Sequence, residues 1–180
     1  MKKNVWVFGL IAGGIVSAFM TVTMIYHKHN PDFIGSMWMG YTSMLIAFAF
    51  VFVGVKNYRD NYCSGVISFG SAFKTGLFIT LIASTMYVIT WLLVYNFMMP
   101  DYLEKYIAHT IEQARASGAS EVEIEKLMAE MKPYQKMYKN PFFVVLLTYA
   151  EILPLGLIVT LISAFILKRK TPNTDEAIAA

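Results

Sequence analysis

Apolar residues fall into four blocks along the chain, at about 5–26, 37–55, 75–98 and 142–167. Each is near the roughly 20 residues that cross a hydrocarbon core. Between the third and fourth blocks the pattern changes. Leu103, Tyr106, Ile107, Thr110, Ile111 and Ala114 recur at i, i+3, i+4 spacing, with charges on the other side. That spacing predicts an amphipathic helix. Residues 117–120 (SGAS) break it. Ser120 followed by Glu123 is a capping-box pattern that opens a second helix, whose apolar positions are Ile124, Leu127, Met128 and Met131. Pro133 is expected to end that helix, and Pro100 to end or kink the third span. The residues 27–32 (HKHNPD) are expected to form a short turn. The fold class is therefore all-α: a polytopic membrane protein with four transmembrane helices and an extramembrane helical hairpin between spans three and four. One transmembrane domain covers 1–170, the helical loop is 100–141, and 171–180 is expected to be a disordered tail.

Composition agrees with the pattern. Of 180 residues, 57% are hydrophobic and 15% charged, with mean hydropathy +0.51, more apolar than a soluble domain. The net charge of +3 does not point to nucleic acid. The positive charges sit at the ends of apolar blocks, with no basic stripe of interleaved aromatics. A single cysteine, Cys63, excludes an intrachain disulfide and a cysteine-only metal site. The first residues imitate a signal peptide, with Lys2 and Lys3 before an apolar core. The apolar run continues to Ile25, too long for a signal core, so it is read as span one.

The ends of the blocks set an orientation. With both termini cytoplasmic, the inside holds Lys2, Lys3, Lys56, Arg59, Lys74, Lys168, Arg169 and Lys170, and the short outer turn holds only Lys28. The long loop holds six basic residues beside seven acidic ones. The positive-inside rule then favours a bacterial inner (cytoplasmic) membrane protein with the N- and C-termini inside and the 100–141 loop outside.

One residue stands out within the spans. Glu151 is the carboxylate of the fourth block, with Pro154 three residues on. A carboxyl group at a helix centre costs about 2.5–3.5 kcal/mol on insertion scales. Pro154 has no N–H for the carbonyl of Ala150, so an acceptor is freed beside it. Glu151 is expected to be protonated and to face the bundle interior. Ser17, Thr21, Tyr87 and Thr90 lie at a similar depth and complete a candidate intramembrane functional or packing site. Two readings stand: a proton, ion or ligand site, or a carboxyl that hydrogen-bonds between helices and fixes register. Small residues at four-residue spacing, Gly9 and Gly13 in span one and Gly156 and Thr160 in span four, mark helix-packing faces or a protomer interface.

Other chemistry is sparse. His27, His29 and Asp32 are weak metal candidates whose spacing matches no metal motif. No metal and no cofactor is expected. There is no H-E-x-x-H, G-x-S-x-G or Walker A pattern, and no enzyme activity is expected.

The glycine-rich first span (GLIAGG), the run SFGSAFKTGLFITLIAS at the start of span three and the fourth-span form AEILPLGLIVTLISAFILKRK carry a resemblance. The chain resembles a bacterial four-span membrane protein family, domain of unknown function 4199, of Bacteroidetes type. The resemblance implies an inner-membrane location and the four-span layout, and no catalytic residue. The expected function is that of a non-enzymatic binding or assembly component of the membrane. The alternative is a small oligomeric transporter or channel subunit using Glu151. The expected partners are membrane lipids, and a second copy or another protein held through loop 100–141, with no nucleic acid.

Overall fold

The computed structural model describes residues 1–30 and 37–169. Six α-helices follow in order: α1 (Lys2–His29), α2 (Met37–Tyr62), α3 (Phe69–Leu93), α4 (Tyr102–Ala116), α5 (Glu121–Tyr138) and α6 (Pro141–Leu167). A single π-helical turn, Val94–Met98, extends α3. There is no strand among the described residues, and one isolated bridge joins Ile67 to Arg169. Four helices are long and apolar enough to cross a membrane: α1, α2, α3 with its π turn, and α6. The chain is thus a multi-pass membrane protein by length and composition. Its contacts form two compact units, Met1–Tyr87 with Tyr149–Ala180, and Val88–Thr148.

The first unit is built by close approach of helices. Phe48, Ile79, Ile152, Val16 and Val51 are fully buried at its core. Lipid offers these side chains as apolar a home as the core does, so packing and interhelical hydrogen bonds hold the helices together. A Cβ on Gly9 would stand 2.8 Å from Ile82, and one on Gly13 would meet Met86 one turn on. Hence α1 and α3 run in the same direction and touch at the level of their backbones. A Cβ on Gly156 would meet Thr80 and Phe48, and one on Gly76 would meet Thr160. That crossed order makes α6 antiparallel to α3. Asn4 donates from Nδ2 to the Gly54 carbonyl of α2 over 2.8 Å, in a buried position. The small-residue faces therefore pack within one chain.

The second unit is aromatic at its base. Trp91 meets Tyr102 edge-on with ring centroids 5.1 Å apart, and Tyr95 meets Tyr138 in the same way at 5.4 Å. Helices α4 and α5 pack on each other, and Ile107 and Ile124 are their buried anchors. Gly118, at φ +84°, closes α4 in the left-handed region. The capping box opens α5 as the spacing predicts: the Glu123 amide donates to Ser120 Oγ, and the Ser120 amide donates to the Glu123 carboxylate over 2.8 Å.

Two expectations about helix ends are corrected. α1 does not turn at His27 but continues through His29. The His29 ring bonds the Ile25 carbonyl at 2.9 Å, which lengthens the last turn. Nor does Pro133 end α5, which runs on to Tyr138. Its missing N–H orphans the Ala129 carbonyl, but Ala129 and Pro133 are both exposed, so water replaces the lost bond.

Glu123 gives the α5 cap a pH dependence. The Ser120 backbone N–H, then the Ser120 hydroxyl, hold its carboxyl below the usual glutamate value of 4.5. A lowered folded pKa means that the cap contributes above the ordinary value and fades as pH falls through the folded one. Hydrogen exchange at the amides of the first turn of α5 should therefore accelerate, relative to an exposed reference, below about pH 4.5. Glu123→Gln keeps an acceptor and loses the titration, so its exchange should show no such extra step. Equal pH profiles for the two proteins would remove the carboxylate from the cap.

Candidate functional site

Some of the buried polar groups of the first unit form a seam between α3 and α6. The Thr80 and Thr160 hydroxyls are 2.9 Å apart, and Thr80 also donates to the Gly156 carbonyl at 3.4 Å. Thr75 and Ser163 each donate to the carbonyl four residues earlier in their own helix. Ser17 and Ser84 are buried, and neither Oγ has a hydrogen-bond partner among the described residues. Thr21 donates to the Ser17 carbonyl over 2.8 Å. All of these are short neutral groups. Of these bonds the two at Thr80 join separate helices, and the groups offer no general acid, base or charged ligand.

Glu151 lies elsewhere. The buried ridge of α6 is Val144, Thr148, Ile152, Gly156, Thr160 and Ala164, four residues apart and so on one face. Glu151 is exposed, as are Ala150, Pro154 and Ile158. The interior-facing expectation is corrected: within its own unit the carboxyl points outward. The physical reason is the close α3–α6 contact. Only small side chains fit the Gly156–Thr80 crossing, and they fix the rotation of the helix with Glu151 on the far side. Among the described residues Glu151 has neither a hydrogen bond nor an ion pair. The carbonyl freed by Pro154 belongs to Ala150, which is exposed too.

The proposed companions of Glu151 are placed as follows. Ser17 and Tyr87 are buried, while Thr21 and Thr90 are half-buried. Tyr87 and Thr90 each make interactions of their own. Gly9, Gly13, Gly156 and Thr160 all serve packing inside the chain. Of the metal candidates, Asp32 lies outside the described residues, and His29 bonds backbone. Among the described residues no three His, Cys, Asp or Glu side chains group together. Reading the sequence missed Asn4, Gly54, Gly76 and Thr80, although Gly76 and Thr80 carry the same four-residue spacing that marked Gly156 and Thr160.

Two cavities belong to one unit each. One, of about 510 Å³, lies between α1 and α2 and is lined by Ile15, Phe19, Trp38, Ile46 and their neighbours. Its Ser43 hydroxyl is already donated to the Gly40 carbonyl over 2.7 Å. The other, of about 320 Å³, lies at the base of α4 and α5. Neither is lined by Glu151.

At the opposite end of the first unit Arg59 is buried and donates from Nε to Asp60 over 2.6 Å. The Arg169 amide donates to the Ile67 carbonyl at 2.9 Å, tying the α2–α3 loop to the end of α6. Lys56, Arg59 and Arg169 all lie near Asp60 at this end.

A family model described as "Protein of unknown function (DUF4199)" matches residues 7–169. No curated protein and no solved structure matches the chain.

Proposed function

The chain belongs to this DUF4199 family, and we infer that the protein is a non-enzymatic assembly component of the membrane. The observation that carries the reading is Glu151, exposed on α6 and without a partner among the described residues. A carboxyl that met only hydrocarbon would cost about 2.5–3.5 kcal/mol. A second transmembrane span laid over the 151/154/158 face removes that cost. A second copy suffices, because two protonated carboxyls hydrogen-bond each other. The charge distribution supports an inner-membrane protein with both termini cytoplasmic.

The test is a disulfide cross-link. Ile158 shares the exposed face of Glu151. In a Cys63→Ser background, Ile158→Cys should give a covalent dimer in native membranes. Adding Glu151→Leu should reduce that dimer several-fold, and deleting residues 101–139 should leave it. Dimer that survives Glu151→Leu unchanged would end the Glu151 reading. Dimer lost only with the deletion would move the contact to α4 and α5.

A further inference from the structure

The smaller cavity has a chemistry that the assembly reading does not use. It lies wholly within the second unit, where α3 ends, α6 begins and the α4–α5 pair is rooted. Lys132, Lys136 and Lys139 line it from α5 and its C-terminal end. They are four and three residues apart, so Lys132 and Lys136 share one face of α5 and the C-cap Lys139 follows on the same side. Tyr95 and Tyr138 line it too, and Glu104 stands at its side. Lys105 is paired with Asp101 at 2.8 Å. By contrast, none of the three cavity lysines, nor Glu104, has an ion pair or hydrogen bond among the described residues.

Three like charges within two turns repel one another, and Glu104 is the acidic side chain that lines the cavity with them. Solvated lysines on a convex surface would need no further account. These three border a concave space of about 320 Å³, within the range of small-ligand sites. The π turn adds an independent sign. Met99 donates to the Val94 carbonyl across five residues at 3.0 Å, and Tyr95 sits inside that turn. Such turns are rare in α-helices and are frequently found at functional sites. The site's level along the chain is also defined. Tyr95 closes one apolar span, and Tyr138 precedes the next by three residues. Tyrosine and lysine at the end of a span sit where lipid phosphates lie.

We propose that this cavity binds a phosphate group, that of a phospholipid headgroup, with Lys132, Lys136 and Lys139 holding its oxygens and the Tyr95 and Tyr138 side chains walling it. Glu104 sets the selectivity. It opposes an extra negative charge and favours a headgroup that carries an amine. The proposal stands apart from the Glu151 reading, since the two use different units.

Full-length protein in nanodiscs of phosphatidylcholine, titrated with phosphatidylethanolamine or phosphatidylglycerol and read by native mass spectrometry, tests it. Replacing all three lysines by glutamine should weaken retention of phosphatidylglycerol by about 100-fold, at roughly five-fold per lysine near an anionic lipid surface, and weaken that of phosphatidylethanolamine by less. Replacing them by arginine should restore it. Glu104→Gln should shift preference toward phosphatidylglycerol. The lysines are exposed, so the variants should fold, and a near-wild-type melting curve checks that they do. Inorganic phosphate or glycerol phosphate in millimolar excess separates the sources. Retention unaffected by either assigns the site to lipid. Displacement assigns the same lysines to a soluble phosphate ester and overturns the headgroup assignment. Equal lipid retention by wild type and the glutamine variant overturns the phosphate site altogether.

Discussion

Gly156→Leu is expected to abolish recovery of folded, monodisperse protein in mild detergent, while Gly14→Leu leaves it near wild type. A Cβ at Gly156 would run into the Thr80 methyl and stand 2.8 Å from Phe48 Cζ, whereas nothing lies within 4 Å of one at Gly14. Phe48 and Thr80 are themselves fully buried, so neither has room to withdraw. Overpacking of this kind costs about 1–3 kcal/mol for modest additions, and leucine adds a whole isobutyl group at the closest helix crossing. The hydrogen bond at the same crossing matters less. Interhelical bonds between such side chains average about 0.6 kcal/mol in a membrane protein. Thr80→Val, which removes the Thr80–Thr160 bond and keeps the shape, should lower the thermal midpoint only slightly. The order of damage should therefore be Gly156→Leu, then Gly156→Ala, then Thr80→Val. Because the Thr80 methyl is one of the two obstacles, Thr80→Ser should partly rescue Gly156→Ala. No rescue, or Thr80→Val outranking Gly156→Ala, would mean that polar pairing rather than close approach holds α3 to α6.

The four spans were legible because an apolar block of the right length has few alternatives in water or lipid. Their ends were not. Hydropathy reports which residues suit hydrocarbon, but a helix ends where its hydrogen-bond ladder ends. Thus Lys2–Asn4 and Lys56–Tyr62 are helical although polar, and α2 and α3 leave only residues 63–68 between them. Pro133 was misread for a related reason. Its local cost is real, but it falls on a carbonyl at an exposed position, and only the tertiary arrangement says so. The capping box, by contrast, is purely local and reads directly from Ser120 and Glu123. Lys132, Lys136 and Lys139 are legible as charge, but the concavity beside them is walled in part by Tyr95 of the π turn at Val94–Met98, for which the sequence carries no known signature.

Glu151 faces the other way from the interior direction expected of it, and the sequence already held the angle. At 100° per residue, Glu151 lies about 140–180° around α6 from Gly156, Thr160 and Ala164. Once those three are the packing face, the carboxyl has to face away. This has a consequence for stability opposite to that of an interior carboxyl. Glu151→Leu is expected to make the monomer more stable, raising the thermal midpoint of the full chain under conditions that dissociate oligomers. It should also make membrane insertion of the α6 segment more favourable by about 3–4 kcal/mol, the sum of the carboxyl cost removed and the small gain from leucine. Glu151→Gln should fall between the two. An interior carboxyl paired across helices would give the reverse in the folded chain, because leucine would strand its partner group at a cost of about 1–3 kcal/mol. Insertion of α6 reads only the residue type, whereas unfolding of the whole chain reads the direction in which it points. A rise in both, together with loss of the Ile158→Cys cross-link, is the combination that an outward, assembly-forming Glu151 produces. A fall in the midpoint with better insertion would return the carboxyl to the interior of the bundle.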